Sequence, residues 1–518
     1  MSEILFGQSY YLRFDPKLWQ AMQPYPPLGS LYAASYIRSR GYQVALFDAM
    51  LAEGEAKWAK ALEVETPRFA VLFEDNFNYL SKMCLLRMRQ AAFTMLTEAH
   101  RRGCTVIACG SDAADHAREF LEHGADFVLQ GEGEETLGAL LDQQTGRSAE
   151  DLRAITGLVY RGPDGELIRT PRRPDLHDLD ALPFPAWDLV DMPEYQQVWR
   201  QRHGYFSMNM VTTRGCPFHC NWCAKPIWGQ RYNMRSPENV VSEMKWLKEK
   251  YKPDQIWFMD DILGLKPGWL ELFADLLDRE GFHIPFKSLN RADLLLRGKT
   301  IDALRRAGAQ IVWIGAESGS QSILDAMEKG TRIEQIYAAA SQLHSAGVQV
   351  AFFLQFGYPG ETLADIEKTL QMVRDCRPDD IGISVSYPLP GTRFYERVKA
   401  QLGEKQNWVD SQDLEMLYEG PFTTDFYRKL HARVHKEFRM RQAWDELAWV
   451  RQHPAQVRPR MVRRSAAMFY NWITLPITRA QLSRLAKVPV PRLAFIPPEL
   501  DPEAAAQPSP QGEQGGEL

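Results

Sequence analysis

The sequence predicts an α/β protein in three parts: an N-terminal doubly wound, Rossmann-like parallel sheet, a partial (β/α)6 TIM-type barrel, and a C-terminal helical region. Two series of short apolar runs alternate with helical patterns, one before and one after a Pro-rich stretch, as parallel sheets wrapped by crossover helices require. The 518 residues, 45% apolar and 25% charged, give room for about three such domains. Beyond Gly403 the periodicity is helical only.

The first series places strands at Ile4 to Gly7, Gln43 to Phe47, Phe69 to Phe73, Thr105 to Cys109 and Phe127 to Leu129, with helices at Leu28 to Arg40 and ending at Arg102. Gly41 and Gly103 follow basic residues, where helix C-termini want a glycine. A hairpin-like piece, Gly157 to Ile168 around Pro163-Asp164-Gly165, and the run Leu182 to Trp187 read as a linker. The second series gives strands at Met208 to Thr213, Gln255 to Met259, Pro285 to Leu289, Gln310 to Gly315, Gln349 to Phe356 and Asp380 to Tyr387, with helices such as Pro237 to Lys250 and Ile333 to Ala346. The expected domains are 1–144, a linker 145–204, the barrel 205–403, a helical region 404–496 and a disordered tail 497–518. In such folds chemistry gathers at the carboxyl ends of the strands.

A net charge of -5 disfavours nucleic acid as a main partner and favours small substrates. The N-terminus has no secretory-signal pattern and no stretch reaches ~18 uninterrupted apolar residues, so a cytoplasmic location is expected. Seven cysteines is an odd number, and three of them fall between positions 216 and 223, which argues for metal ligation rather than disulfides. Cys84, Cys104, Cys109 and Cys376 read as small buried apolar residues.

The triplet stands in Arg214-Gly-Cys216-Pro-Phe-His-Cys220-Asn-Trp-Cys223, directly after the first barrel strand. One short loop aims three sulfurs at one point. An iron-sulfur cube normally takes four thiolates, so three leave one iron open to a substrate such as S-adenosylmethionine. A structural zinc site of the three cysteines plus His219 is the open alternative.

These residues resemble the radical S-adenosylmethionine superfamily, whose CxxxCxxC loop with an aromatic residue before the last cysteine is matched by Cys216, Cys220, Trp222 and Cys223. The likeness spans Tyr205 to Gly403 and includes the strand-end segments Phe258-Met-Asp-Asp261, Asn290-Arg-Ala-Asp293, Gly315-Ala-Glu-Ser-Gly319, Gly357-Tyr-Pro-Gly-Glu361 and Pro388-Leu-Pro-Gly-Thr392. It implies a 4Fe-4S cluster on Cys216, Cys220 and Cys223, and a cleavage of S-adenosylmethionine to a 5'-deoxyadenosyl radical. Trp222 would lie against the cofactor, Asp260 and Asp261 near its amino group, Arg291 near its carboxylate, and Glu317 with Ser318 near its ribose. On the residues alone, Asp260 or Asp261 reads equally as a helix cap, and Arg291 as a surface partner of Asp293.

The sheet over Met1 to Leu141 resembles the cobalamin-binding domain of one large class of that superfamily, which holds class B methyltransferases and the anaerobic magnesium-protoporphyrin monomethyl ester cyclase. The matching residues are Pro24-Tyr-Pro-Pro-Leu-Gly29, Gly110-Ser111 and Gly131-Glu132-Gly133-Glu134, with Leu179 to Pro185 and Trp228 to Val240 further on. The resemblance implies a corrin and its nucleotide tail at Gly110, Ser111, Gly131, Glu132, Gly133 and Glu134. The DxHxxG motif that supplies a histidine to cobalt is missing; His116 is the nearest histidine and reads as a polar helix start. A flavodoxin-like sheet without cofactor is the alternative.

The class implies cobalamin-dependent methylation of an unactivated carbon in a small-molecule or lipid-like substrate, with radical oxidation or cyclisation as the second reaction type. An external one-electron donor such as flavodoxin or ferredoxin would serve it. A non-catalytic iron-sulfur or corrinoid carrier is the reading from another class. Between Arg451 and Arg492 stand nine Lys or Arg and no acidic residue, interleaved with Met468-Phe-Tyr-Asn-Trp-Ile-Thr-Leu475. That segment suits either peripheral contact with an anionic membrane or a solvated basic face, and Pro476 is expected to interrupt any continuous helix there.

Overall fold

The computed structural model describes residues 2–77, 85–223, 230–402, 414–453 and 459–489. Cys84, Trp228, Gly403 and the tail 497–518 lie outside them. The chain divides into two compact units, Met1–Phe356 with Asp365–Leu417, and Gly357–Ala364 with Tyr418–Leu518.

The first unit begins with strands β1 (Ile4–Gly7), β2 (Val44–Phe47), β3 (Phe69–Phe73), β4 (Thr105–Cys109) and β5 (Phe127–Leu129), in the spatial order β2-β1-β3-β4-β5 and all parallel. β3 reads Phe-Ala-Val-Leu-Phe and is buried throughout, as a strand covered on both faces must be. One face carries a core with Trp58, Met95 and Phe120; the other carries Ile37, Leu137 and Leu140. Gly41 and Gly103 have φ of 85° and 81° just past their helices, a left-handed turn that glycine adopts without strain.

The hairpin expected in the linker belongs to this sheet. β6 (Leu158–Arg161) and β7 (Leu167–Arg169) extend it antiparallel, with Phe127 opposite Tyr160. β5 has only three residues, and its outer edge would otherwise leave backbone groups unpaired. A boundary at residue 144 therefore cuts a seven-stranded sheet.

The second sheet is a curled half-barrel. After β8 (Ser207–Met210) come the short strands β9 (Thr213–Arg214) and β10 (Asn233–Met234), which pair antiparallel and close the neck of the cysteine-bearing loop. β11 (Gln255–Phe258), β12 (Phe286–Asn290), β13 (Ala309–Glu317), β14 (Gln349–Phe356) and β15 (Asp380–Val385) follow. The order β15-β14-β13-β12-β11-β8 is parallel throughout, so all six carboxyl ends point one way.

The two sheets of this unit are stitched by polar contacts. Asn209 Nδ2 and Trp199 Nε1 donate to the carbonyls of Pro26 and Pro24 at 2.9 and 2.7 Å, and Tyr25 stacks edge-on against Trp257. The Pro24 to Gly29 segment thus serves as a bracket against the barrel. Buried Arg235 donates to Tyr32 Oη at 3.1 Å and to the Val211 carbonyl at 3.0 Å, and meets Glu243 at 2.6 Å.

In the second unit the helices Thr424–Gln452 and Pro459–Leu485 pack along each other. The helix runs through Pro476, contrary to the expected interruption. Met468, Asn471, Leu475, Thr478 and Leu482 form one buried stripe, and Lys436 Nζ donates to Thr474 and Thr478 at 2.9 and 2.8 Å. Tertiary packing of that stripe offsets the single backbone hydrogen bond that the exposed Pro476 lacks.

Candidate active site

The three cysteines lie on the loop that β9 and β10 close. Gly215, with φ of 86°, turns the chain into it. Cys216 is buried against Ile262 and Leu294, with Phe218 and Leu265 beside them, while Cys220 and Cys223 are half-buried. Asn221 fixes the loop's middle: its backbone and side-chain amides donate to the carbonyls of Met327 and Ala326 at 3.1 and 2.9 Å. Trp222 Nε1 is buried without a hydrogen-bond partner among the described residues. His219 is exposed.

Asp260, at the end of β11, is 1% exposed. It accepts hydrogen bonds from Thr212 N and Oγ1 at 2.7 Å each and from Thr213 N at 2.9 Å. Burial pushes its carboxyl up to about 6, against those bonds. It neither caps the next helix nor points free into the site; it ties down the neck of the cysteine loop. Asp261 beside it is half-buried.

Arg291 leaves the end of β12 and lies over the ring of Phe218 at 3.6 Å. Its guanidinium donates to Asp293 at 3.0 Å, the Lys329 carbonyl at 2.9 Å and Thr331 Oγ1 at 3.1 Å, and comes within 4.0 Å of Cys220 Sγ. The pair with Asp293 exists, but it is buried rather than on the surface.

β13 shifts register between Gly315 and Glu317, and Glu317 sits at φ of 57°, a strained value for a residue with a Cβ. Its carboxylate meets Lys329 Nζ at 2.8 Å, with both side chains buried. Burial alone would favour the neutral amine, but Glu317, with Cys220 contributing, holds Lys329 above its usual range. Ser318 is fully buried and its hydroxyl is engaged with Thr369 Oγ1 and Ser320 N. A Cβ at Gly319 would stand 2.4 Å from the Lys368 carbonyl oxygen, so only glycine fits. Gly357 and Glu361 belong to the second unit, where Gly357 N donates to Glu361 at 2.7 Å.

The loop after β5 reaches the same cysteine loop. Arg214, two residues before Cys216, meets Glu134 at 2.6 Å and Glu132 at 3.3 Å. The two carboxylates hold its pKa above the ordinary arginine range against burial, and burial raises that of Glu132 in spite of Arg214. These glutamates are turned to a cation of the barrel. Gly131 and Gly133 have φ of 80° and 96°, and a Cβ at Gly133 would lie 2.5 Å from Cys109 Sγ. At the end of β4, a Cβ on Gly110 would lie 2.8 Å from Glu74 Cβ, and Ser111 N donates to Asn76 Oδ1 at 3.3 Å. His116 is bound to Asp112 at 3.2 Å and to Arg89 at 3.1 Å. Cys104, Cys109 and Cys376 are buried.

Sequence reading missed Lys329, Asn221, Thr212 and Arg214 as site residues. Arg214 and Asn221 gave a signal, as residues of the cysteine segment itself; Thr212 and Lys329 join it through Asp260 and Glu317.

Residues 210–373 match the model of the radical SAM superfamily. This chain carries a radical SAM domain. The match favours the iron-sulfur reading over the zinc alternative. An uncharacterized methyltransferase of Pyrococcus horikoshii is 28% identical over 61% of this chain and 68% of its own. The anaerobic magnesium-protoporphyrin IX monomethyl ester cyclase of Rubrivivax gelatinosus is 25% identical over 74% of this chain and 68% of its own. Among solved structures, the radical S-adenosylmethionine methyltransferase TsrM from Kitasatospora setae, with cobalamin and a [4Fe-4S] cluster bound, superposes with a TM-score of 0.63. It covers 79% of each chain at 17% identity, a likeness of fold. In this radical SAM domain the predicted barrel residues Cys216, Cys220, Arg291, Glu317 and Asp260 converge on one loop and its supports. Gly110 and Ser111 stand apart, at the carboxyl end of the first sheet.

Proposed function

We propose that this radical SAM enzyme binds a 4Fe-4S cluster through Cys216, Cys220 and Cys223 and carries out cobalamin-dependent methylation of an unactivated carbon. The observation that carries the first half is the loop itself. It carries three cysteines within eight residues, Cys216 against an apolar floor and Cys220 beside the cations Arg291 and Lys329, a set of residue types and charges that suits an anionic cluster with one open iron. The chemistry such a cluster supplies when bound is one-electron cleavage of S-adenosylmethionine to a 5'-deoxyadenosyl radical.

The chain's own residues would do the positioning. Asp260 holds the loop's neck, Asn221 its middle, and Arg291 with the Glu317–Lys329 pair sets the charge around Cys220. Trp222 would lie against the cofactor, Asp261 near its amino group, Arg291 near its carboxylate and Glu317 near its ribose. Ser318, spent on Thr369, would act through the backbone.

Cobalamin would sit on the first sheet, where the strand order reverses around β1 and opens a crevice between β1 and β3. Gly110 and Ser111, after the neighbouring β4, would lie beside it. The bound state of Glu132 and Glu134 suits them as a tie from the corrin side to Arg214, and His116 is held by Asp112 and Arg89. The methyltransferase names of relatives and of the TsrM neighbour support methylation. Oxidative cyclisation is the second reading, favoured by the cyclase relative that spans 74% of this chain. A small-molecule or lipid-like substrate, an external flavodoxin or ferredoxin as electron donor and a cytoplasmic location belong to the same proposal. No helix among the described residues is long and apolar enough to cross a membrane.

Anaerobic reconstitution with iron, sulfide and hydroxocobalamin tests it. We expect about four irons, one cobalt, and 5'-deoxyadenosine from S-adenosylmethionine under reduction. Iron without cobalt would remove the methylation half, and no 5'-deoxyadenosine would return the chain to a carrier role.

A further inference from the structure

The second unit presents an aromatic surface that the packing of its described residues does not use. On the helix Pro459–Leu485 the buried stripe faces the partner helix, and the opposite side carries Phe469, Tyr470, Trp472, Ile473 and Ile477, each 57 to 66% exposed. Positions 469, 473 and 477 recur every four residues and form one row, with 470 and 472 flanking it. Soluble proteins rarely leave so many large apolar side chains together in water. No acidic residue lies between 451 and 492, while nine Lys or Arg do, and Arg484 and Lys487 stand exposed about two to three turns beyond Ile477.

We propose that this face docks on the surface of an anionic lipid bilayer, its aromatic row entering the headgroup boundary and its cations meeting lipid phosphates. Trp, Tyr and Phe have apolar bodies, and the first two polar tips, which is the composition of the membrane-water boundary. A second copy fits less well: isologous pairing would bring two basic faces together. The inference stands on this unit alone and does not depend on the radical chemistry.

The test is co-sedimentation of the full-length protein with vesicles of phosphatidylcholine containing phosphatidylglycerol, compared with phosphatidylcholine alone. We expect binding to the anionic vesicles that falls steeply as salt rises. The variant Phe469→Ser/Trp472→Ser/Ile473→Ser should weaken it by at least about tenfold, given the transfer energy of three such side chains. Arg484→Glu/Lys487→Glu should weaken only the anionic component. All five side chains are exposed, so circular dichroism and elution volume should match the parent. No binding to anionic vesicles, or equal binding by the triple variant, would overturn the proposal. A parent dimer that the triple variant converts to monomer would do so too, assigning the face to a second copy.

Discussion

Glu134 and Arg214 meet at 2.6 Å, both buried, and the arginine lies two residues before Cys216. The loop after β5 thereby holds the entrance to the cysteine loop of the second sheet. Removing one partner of such a pair leaves an uncompensated buried charge, which costs about 3–5 kcal/mol. Arg214→Met and Glu134→Leu should each lower the thermal midpoint strongly, and the double variant should lose less than the sum. A double-mutant cycle by chemical denaturation measures this, and strict additivity would deny the coupling.

Replacing Cys216, Cys220 or Cys223 singly by Ala should drop reconstituted iron from about four per chain to below one. Iron analysis after anaerobic gel filtration reads it. The same substitution at Cys104 or Cys376, buried away from the loop, should leave iron content unchanged.

Lys329→Met would strand the Glu317 carboxylate in a buried site. We expect a loss of about 3–5 kcal/mol in stability and a fall in 5'-deoxyadenosine formation. Glu317→Gln/Lys329→Met should recover much of the stability without the activity, which separates folding from function.

At Gly319 an added methyl would meet the backbone of Lys368 and Thr369 at 2.4 to 2.6 Å. Backbone cannot turn aside as a side-chain end can, so Gly319→Ala should cost upwards of about 2 kcal/mol. Gly347→Ala is the control, with nothing within 4 Å of its Cβ position but a φ of 78°; it should suffer only the backbone penalty of about 1–2 kcal/mol.

Burial pushes the Glu74 carboxyl up to about 7, although Ser9 N donates to it at 3.0 Å. Its unfolded value is about 4.3. The folded state therefore holds a proton that the unfolded chain releases between those values, and Glu74's contribution to stability is full below about pH 4 and lost as pH rises through 7. Glu74→Gln should flatten that part of the profile of thermal midpoint against pH for the cofactor-free protein. A profile with unchanged slope would refute the assignment.

The sequence by itself determined the parallel strands, since apolar runs bounded by glycine and helical periodicity are local signals, and β1, β3, β4, β5 and β14 fall where the pattern puts them. It also determined the three cysteines, whose spacing within one loop needs no tertiary partner to be read. Tertiary structure decided what surrounds them. Asp260 became the fastener of the loop's neck because β8 and β11 are neighbours, and Glu317 met Lys329 because the chain folds back after β13. Glu132 and Glu134, read as cofactor residues, meet Arg214 because carboxylates withdrawn from solvent need a cation. The hairpin joined the first sheet to satisfy the open edge of β5, and the helix continued past Pro476 because its buried stripe outweighs one missing hydrogen bond. These outcomes turn on which surfaces meet, and no local pattern encodes them.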